Sequence, residues 1–244
     1  MSIAIIIPAF KESDNIEKLI FSILKILKDP IIVIVDDSPD KEIQEKIKNF
    51  NNIRYIYRGK KMGRGSAVIE GMKNLINEKE ISKIIEMDAD LSHDPSEINN
   101  NLKIFEKDNL DLLISSRYLK DSRIINWNLS RKIFSLLANR FAKFVLKIPI
   151  TDYTNGFRIY SRNSIKHIVL NCGKIGGGFI ILSEILVELY FNNFKVKEAP
   201  SVFKNRIRGE SSVTLRLILN SFFGLLKIYK KKIKIINKIN QKIV

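Results

Sequence analysis

The chain has 244 residues, of which 45% are hydrophobic and 28% are charged, a composition typical of a folded globular protein. It excludes a collagen, a disordered tail and a disulfide-rich scaffold. One cysteine, Cys172, and two histidines, His93 and His167, are too few for a zinc site made of Cys and His. The formal net charge is +16, and residues 201–244 carry eleven Lys or Arg against one acidic residue. This predicts a polyanionic partner, nucleic acid or an anionic membrane surface, although a solvated basic face would give the same pattern.

Targeting segments are not expected. No basic residue precedes the apolar run at residues 3–9, so a signal peptide is not indicated. The longest apolar window without charge, residues 217–226, is far shorter than the ~18 residues that a membrane-spanning helix needs. We therefore expect a protein that does not span a membrane.

Strand and helix patterns alternate along the first 115 residues. Short apolar runs predict strands at residues 3–7, 31–35, 53–57, 81–87 and 110–115. Helical spacing predicts helices at residues 16–27, 39–50, 65–76 and 95–105. Such alternation predicts an α/β fold with a mostly parallel sheet flanked by helices, whose ligands bind beyond the carboxyl ends of the strands.

The second half of the chain changes character. Helical periodicity marks residues 127–146 and 179–191, residues 151–160 are polar with a glycine, and residues 194–203 look extended. Residues 213–236 read as one basic helix with apolar residues at i, i+3, i+4 and i+7. The expected division is a single α/β domain at residues 1–212 and a basic amphipathic helix at residues 213–244 that docks on a membrane surface or a partner.

Acidic residues follow three of the predicted strands. Glu12 comes after the first strand, Asp37 after the second, and Asp88 and Asp90 after the fourth. Because these strand ends meet at one edge of a sheet, like charges gather there, and a hard divalent cation would relieve their repulsion. An ordinary acidic turn before a helix that begins at Pro95 is the alternative for the Asp88-x-Asp90 spacing.

A short glycine-containing segment, residues 62–66, precedes a predicted helix and can present backbone amides to a phosphate. It lacks the complete dinucleotide-binding and Walker patterns, so a plain loop with positive φ is an equal alternative. No Ser-His-Asp or Cys-His dyad is apparent. His93 is expected at the surface, or supporting a ligand, rather than as a base.

A larger set of motifs occurs in order from residue 3 to about residue 212. They are Pro8-Ala-Phe-Lys-Glu12, Val35-Asp-Asp37, Gly63-x-Gly65-Ser-Ala67, Met87-Asp-Ala-Asp-Leu-Ser-His93, Ser116-Arg-Tyr118, Asp152, Gly156-Phe-Arg158-x-Tyr160, Glu198-Ala-Pro200 and Gly209-Glu-Ser211. This set resembles family 2 of the glycosyltransferases and, within it, the polyprenyl-phosphate (dolichyl-phosphate) mannosyltransferases. Phe10 and Lys11 stand where that family usually has Tyr and Asn, and Ser212 stands where it usually has Lys.

The resemblance implies a GT-A-like fold and a nucleotide-sugar donor, GDP-mannose. It implies Mg²⁺ or Mn²⁺ held by Asp88 and Asp90, with the cation acting as a Lewis acid on the departing diphosphate. The residues expected to line the donor cavity are Pro8, Phe10, Glu12, Asp37, Asp88, Ala89 and Asp90.

The implied acceptor is a polyprenyl phosphate. A phosphate monoester is largely dianionic at pH 7, so it needs orientation and neutralisation more than a general base. Arginine suits that task, and Arg117, Arg131 and Arg206 occupy the matching positions. With Asp90 they are the expected catalytic residues. Direct displacement would invert the anomeric carbon and give a β-linked product.

Three further polar positions have open roles. Asp152 and Arg158 flank Gly156; Asp152 either contacts or supports the sugar or serves packing and salt bridges, and the role of Arg158 is open. Glu184 is a carboxylate on an otherwise apolar helix and is expected to pair with a basic residue of the catalytic floor.

Other functions stay open at this point. A related transferase could use a UDP-sugar such as UDP-glucose, and an inactive relative is also possible. The charge of +16 suggests a nucleic-acid binder, but it is concentrated at one end and no binding motif appears, so no nucleic-acid partner is expected. The expected location is peripheral, on the cytoplasmic face of a membrane, with the basic helix on the bilayer or on a small integral-membrane partner subunit.

Overall fold

The computed structural model describes residues 2–205 and 215–243. The strands are β1 (Ser2–Ala9), β2 (Ile31–Asp36), β3 (Ile53–Tyr57), β4 (Ile81–Glu86), β5 (Leu112–Ser116), β6 (Arg123–Ile125), β7 (Arg158–Ser161), β8 (Val196–Pro200) and β9 (Val202–Lys204). The helices are α1 (Ser13–Leu24), α2 (Glu42–Ile47), α3 (Arg64–Leu75), α4 (Ile98–Lys107), α5 (Leu129–Leu146), α6 (Arg162–Asn171), α7 (Ile180–Phe191) and α8 (Leu215–Ile243). A 3₁₀ turn at Pro95–Glu97 leads into α4.

A seven-stranded sheet forms the centre of the molecule, in the order β3-β2-β1-β4-β7-β5-β8. Its strands run parallel except β7, which is antiparallel to both of its neighbours, β4 and β5. A separate pair, β6 and β9, forms a small parallel sheet. The carboxyl ends of β1, β2 and β4 therefore lie at the same edge, next to each other.

The central strands are apolar on both faces because both faces are covered. Along β1, Ala4 and Ile6 point into a core shared with α3, α6 and α7, whereas Ile5 and Ile7 point into a core shared with α1, α2 and α4. These four side chains have no solvent exposure. Continuous apolar runs are what a parallel strand buried on both sides requires.

The C-terminal helix packs along the body of the protein. Leu225 and Ile228 of α8 are buried in the core beneath α7, and α8 also contacts α5. In the part of the chain that is described, no helix is both long and apolar enough to cross a bilayer.

The predicted α/β fold with a mostly parallel sheet is confirmed. The five predicted strands and the helices between them are present, with bounds shifted by a few residues. The sequence did not predict β6, β7 or α6, and the segment 194–203 divides into two strands of different sheets. The predicted boundary at residue 212 lies outside the described residues, and the division into two parts stays a prediction.

Candidate active site

All seven residues expected to contact the donor line one cavity of about 220 Å³ at the carboxyl edge of the sheet. They are Pro8, Phe10, Glu12, Asp37, Asp88, Ala89 and Asp90. The loops after β1, β2 and β4 bring them together, as the parallel topology requires. Lys61, Arg64 and Phe179 also line this cavity, and none of these three side chains was predicted to contact the donor.

Asp37 holds the loop that leads into α3. Its carboxylate accepts hydrogen bonds from Nε of Arg58 (2.5 Å) and from the backbone amides of Met62 (2.8 Å) and Gly63 (2.9 Å). Gly63 has φ of +99°, and a Cβ there would lie 2.5 Å from the carbonyl oxygen of Gly177. The segment 62–66 is therefore a tightly fixed entrance to α3 and one wall of the cavity.

An aromatic ring and a lysine meet at the mouth of the donor cavity. The ammonium of Lys61 lies 4.6 Å from the ring centroid of Phe10, and that of Lys11 lies 5.8 Å away. On the same loop, Glu12 accepts a hydrogen bond from Nδ2 of Asn15 (2.7 Å). This arrangement offers a planar face with positive charge beside it, which suits an anionic ligand that carries a flat ring.

Asp88 is paired with an arginine. Nε of Arg64 donates to Oδ1 of Asp88 (2.7 Å), and the same guanidinium bonds to Glu86. Burial works against the charged form of Asp88, but the charge and the hydrogen bonds of Arg64 outweigh it and lower the pKa of Asp88. Asp88 is thus ionised and already has a cationic partner.

Asp90, unlike Asp88, has no ion-pair partner among the described residues. Its Oδ1 accepts the amide of Ser92 (3.0 Å), and within the described residues Oδ2 has no hydrogen-bond partner. No group of three or more His, Cys, Asp or Glu side chains gathers in residues 2–205 or 215–243 to form a metal centre from protein alone. Mg²⁺ and Mn²⁺ commonly take one or two carboxylates together with substrate phosphates, and this site fits that kind of binding.

His93 is buried and supports the Asp88 turn. It is 1% exposed, so of the two expected placements the surface is wrong, and a supporting position in the site agrees with its contacts. Its Nδ1 accepts the backbone amide of Asp88 (3.1 Å), which leaves the ring proton on Nε2, 2.9 Å from Oδ1 of Asn155. The ring also packs between Phe157 and Phe203. These contacts make it a structural residue of the site.

A second cavity of about 180 Å³ shares Asp88, Asp90 and Phe179 with the first and contains Arg117 and Arg131. Arg117 is held by Asp152 through two bonds, Nε to Oδ2 (2.7 Å) and Nη2 to Oδ1 (2.8 Å). Burial disfavours the charged form of both residues, but the opposite charge of the partner has the larger combined effect. The pKa of Asp152 is therefore lowered and that of Arg117 is raised.

Arg131 lies flat on an indole ring. Its guanidinium carbon is 3.9 Å from the ring centroid of Trp127, and Nη1 donates to Oδ1 of Asn205 (2.9 Å). Nε1 of Trp127 is buried and has no hydrogen-bond partner in the described part of the chain. Arg206, the third expected arginine, lies outside the described residues.

Arg158 and Glu184 act away from the two cavities. Arg158 has no solvent exposure and donates to the backbone carbonyls of Tyr153, Asn155 and Leu182, so it stabilises the fold. Glu184 pairs with Lys231 of α8 (3.0 Å). The expectation of a partner in the catalytic floor is wrong, because α8 packs over α7 and brings its own lysine.

An apolar groove of about 520 Å³ continues from the arginine cavity. It shares Trp127, Arg131, Thr154 and Phe179 with that cavity. The side chains that form its walls come from α5, α7 and α8 and include Phe134, Leu137, Phe141, Ile180, Phe222 and Leu225. The sequence predicted the helices but not the groove, since it forms only where three helices pack together.

The family model described as glycosyl transferase family 2 matches residues 4–169. The chain belongs to glycosyl transferase family 2. A dolichol-phosphate mannosyltransferase of Pyrococcus furiosus is 33% identical over 237 residues, which are 94% of this chain but 64% of that relative's length. A polyprenol monophosphomannose synthase of Mycolicibacterium smegmatis is 29% identical over 224 residues, 90% of this chain and 83% of the relative.

Solved structures of similar fold include glucosyl-3-phosphoglycerate synthase from Mycobacterium tuberculosis with Mn²⁺, UDP-glucose and phosphoglyceric acid. It matches with a TM-score of 0.68 at 14% identity, over 94% of this chain and 80% of that one. A mycobacterial protein matches with a TM-score of 0.66 at 16% identity, over 94% of this chain and 75% of that one. These likenesses confirm the GT-A-like fold expected for this family 2 member.

Proposed function

We propose that this family 2 glycosyltransferase transfers a mannosyl residue from GDP-mannose to a polyprenyl phosphate with inversion of the anomeric carbon. One observation carries the proposal. The acidic donor cavity, the arginine cavity and the apolar groove follow one another without interruption and share lining residues at each junction. A polar donor, a phosphate and a hydrocarbon chain need these three environments in this order. The names of the relatives from P. furiosus and M. smegmatis support mannosyl transfer and a polyprenol-type phosphate acceptor.

The donor would bind in the first cavity. Phe10 offers a ring face to the nucleotide base, and Lys61 lies beside that face. Pro8, Glu12, Asp37 and Ala89 form the remaining wall, with the sugar directed to the junction at Asp88 and Asp90. Neither Phe10 nor Lys61 selects one base by hydrogen-bond pattern, so a UDP-sugar such as UDP-glucose is the second candidate donor.

The acceptor would bind where the arginine cavity opens into the groove. Arg117 and Arg131 would receive the phosphate, and Arg206, which the motif pattern adds, is proposed as a third contact. Arginine is permanently charged and can bond a phosphate through two N–H groups. The polyprenyl chain would lie in the groove, against α5, α7 and α8.

The reaction proposed here is a single displacement. An oxygen of the acceptor phosphate attacks C1 of mannose, the bond from C1 to the donor diphosphate breaks, and GDP leaves with the electron pair. The attacking oxygen carries no proton at neutral pH, so no general base is needed. Arg117 and Arg131 would offset the repulsion between the two anionic substrates. A divalent cation beside Asp90 and Asp88 would neutralise charge on the diphosphate.

We also propose that the protein works as a peripheral protein at a membrane, on the cytoplasmic face, where an unpaired cysteine such as Cys172 is ordinary. Aromatic and aliphatic side chains on α5 and α8 are exposed beside many Lys residues, which suits an anionic bilayer or a membrane-embedded partner subunit better than nucleic acid.

The test is a transfer assay with purified protein, radiolabelled GDP-mannose, dolichyl phosphate in detergent, and Mg²⁺ or Mn²⁺. We expect label to enter the organic phase and to be lost with EDTA. Ala138→Trp should fill the groove and lower transfer to the long-chain lipid about tenfold or more, by steric exclusion. It should leave transfer to a short, water-soluble isoprenyl phosphate nearly unchanged.

The control arms separate the alternatives. Transfer of label from UDP-glucose, but not from GDP-mannose, would show that the donor is UDP-glucose. If Ala138→Trp lowers transfer to the short and the long acceptor equally, the groove is not the binding site of the hydrocarbon chain. Absence of transfer from both donors would contradict the proposed function.

A further inference from the structure

One aromatic ring is common to the donor cavity, the arginine cavity and the apolar groove. Of the described residues that line these three spaces, Phe179 is the one that lines all of them. It comes directly before α7 and is 54% exposed. Covering a large apolar side chain contributes about 1.5–3 kcal/mol, so a ligand that packs on this ring binds more tightly. Phe179 is therefore placed to contact whatever lies where the cavities meet.

The wall of the donor cavity fixes the backbone beneath this ring. Three glycines, at residues 176–178, come directly before Phe179. A Cβ on Gly63, at the entrance to α3, would lie 2.5 Å from the carbonyl oxygen of Gly177. The same oxygen accepts the amide of Ser66 (3.1 Å). Two backbones this close require glycine, and their contact sets the position of Phe179 relative to the donor cavity.

The junction between the donor cavity and the arginine cavity has one apolar component. The described residues that line both are Asp88, Asp90 and Phe179. In the proposed displacement, C1 of the sugar lies at this junction, because it must reach both the donor diphosphate and the acceptor phosphate. A hexose has a face made of C–H groups, and of these three side chains only the phenyl ring offers an apolar surface to that face.

The ring is also held from the protein side. The guanidinium carbon of Arg64 lies 5.4 Å from the ring centroid of Phe179, within the range of a cation–π contact. Arg64 is itself bonded to Asp88 (2.7 Å). The phenyl ring thus lies beside a fixed ion pair in the donor cavity and continues into the arginine cavity and the groove.

Water competes with the acceptor phosphate for C1 of the donor sugar. In that side reaction, the oxygen of water attacks C1 and the bond from C1 to the diphosphate breaks. GDP leaves with the electron pair, a proton of the water passes to solvent, and free mannose is released. An active site suppresses such hydrolysis by excluding water around the reacting atoms.

We propose that Phe179 packs on the C–H face of the donor hexose and closes the junction against water. The sugar then passes to the lipid phosphate rather than to water, and C1 is held in line with the attacking oxygen. The inference rests on the proposed function for a nucleotide-sugar donor and a phosphate acceptor. It does not depend on which base the donor carries.

The test follows two products in one reaction of the full chain with radiolabelled GDP-mannose, dolichyl phosphate in detergent and Mn²⁺. Lipid-linked label is extracted into the organic phase, and free mannose is separated from GDP-mannose by anion exchange. Phe179→Ala should lower transfer about tenfold or more, because C1 is no longer held in place. It should also raise the rate of mannose release about fivefold, with and without the lipid, by admitting water.

Further variants separate closure of the junction from a general effect. Phe179→Tyr keeps the ring and should keep both rates near those of the wild type. Phe179→Leu keeps an apolar side chain before α7, so it tests the ring even where Phe179→Ala does not fold, and both rates should change in the same direction as in Phe179→Ala. Phe21→Ala removes a similarly exposed ring on α1, outside the three cavities, and should change neither rate. GDP affinity by calorimetry should stay within about twofold in every variant, since GDP has no sugar to contact the ring.

Three results would overturn the inference. Unchanged mannose release in folded Phe179→Ala and Phe179→Leu would show that the ring does not exclude water. An equal rise in Phe21→Ala would assign the hydrolysis to a loosened fold. Wild-type rates in Phe179→Leu would show that no flat ring is needed. Absence of any transfer by the wild type, from GDP-mannose or UDP-glucose, would instead contradict the proposed function, and the inference with it.

Discussion

At the scale of single residues, the pair of Arg117 and Asp152 shows how the arginine cavity is organised before any ligand arrives. Asp152 is fully buried, accepts the backbone amide of Arg117 as well as its guanidinium, and has its own amide bonded to Glu198. Two nitrogens of Arg117 are used, and Nη1 has no hydrogen bond to the residues that the structure describes. The side chain is thereby held with one edge available to an anion.

Asp152→Asn tests this arrangement. The substitution keeps the shape but leaves Arg117 buried without its counter-ion, which typically costs about 3–5 kcal/mol. We expect a large fall in the melting temperature and, in the transfer assay, a raised KM for the lipid phosphate with a smaller effect on the KM for the donor. Asp121→Asn, at an exposed position of the neighbouring loop, should change neither quantity.

The pH dependence of stability gives the same residue a second test. The pKa of Asp152 is lowered in the folded protein. The ionised carboxylate therefore contributes its full share to the free energy of unfolding above the ordinary pKa of about 3.9, and this share disappears as the pH falls through the lower pKa of the folded state. The difference in melting temperature between wild type and Asp152→Asn should be constant from pH 7 to about 5 and should narrow below about 4. A difference that stays constant to the lowest pH would contradict the pairing.

Distance along the chain decides which site residues the sequence could predict. The residues of the donor cavity could be predicted because each lies at the end of a predicted parallel strand. Arg64 was not, because its partners Glu86, Asp88 and Gly156 lie 22, 24 and 92 positions further along the chain. Only the folded chain brings the guanidinium to them.

At the scale of helices, a half-buried lysine adds an ionic link between α8 and α7 to the packing of Leu225 and Ile228. Nζ of Lys231 lies 3.0 Å from Oε1 of Glu184, 2.8 Å from Oε2 of Glu188 and 2.6 Å from the carbonyl of Asn171. The two carboxylates are almost completely buried, and Lys231 is the cation that they share, although Glu188 also lies 2.9 Å from Nε2 of His167. Since Phe222 and Leu225 of α8 line the apolar groove, the attachment also keeps that groove closed on one side.

Lys231→Met should loosen α8. Two buried carboxylates would lose their cation, which typically costs about 3–5 kcal/mol, and release of the helix would limit that loss. We expect faster hydrogen exchange along α8 and a raised KM for the lipid, with GDP affinity unchanged by calorimetry. Lys230→Met is the matched control, because Lys230 is exposed on the same helix. Equal exchange in the two variants would contradict the attachment.

Among the elements that the sequence missed, β7 has a clear physical reason. β7 carries Arg158 and Tyr160, both without solvent exposure, so its buried positions do not read as an apolar run. Arg158 is tolerated there because backbone carbonyls accept its N–H groups. By contrast, β1 and β2 are continuous apolar runs and were predicted directly.

At the scale of the whole molecule, exposed apolar residues are concentrated on two adjacent helices. On these two helices, the large apolar side chains that are at least 40% exposed are Leu129, Ile133, Phe134, Leu137, Phe141 and Phe144 of α5, and Phe222, Phe223, Leu226, Tyr229 and Ile233 of α8. The rings of Phe141 and Phe222 stack 6.2 Å apart, so the two sets form one surface, the α5–α8 face. A soluble surface rarely keeps so many large apolar groups together without a partner.

We expect the α5–α8 face to enter the interfacial region of an anionic bilayer. Burying one Phe contributes about 1.5–3 kcal/mol, and each nearby Lys contributes about 1 kcal/mol on an anionic surface. Phe144→Glu combined with Phe223→Glu should therefore reduce binding to vesicles of phosphatidylcholine and phosphatidylserine at least about tenfold in a flotation assay. High salt should weaken wild-type binding only in part, because screening removes the lysine contribution and leaves the apolar one.

Phe21 provides the matched control for this experiment. It is 56% exposed, close to the 58% of Phe223, but it lies on α1, where it contacts Phe50. Phe21→Glu combined with Leu24→Glu, a second exposed position on α1, adds the same two negative charges away from the α5–α8 face, so its vesicle binding should stay near that of the wild type. Equal loss in both variants would mean that net charge alone governs binding. Unchanged flotation of the double variant would mean that the face meets a protein rather than a bilayer.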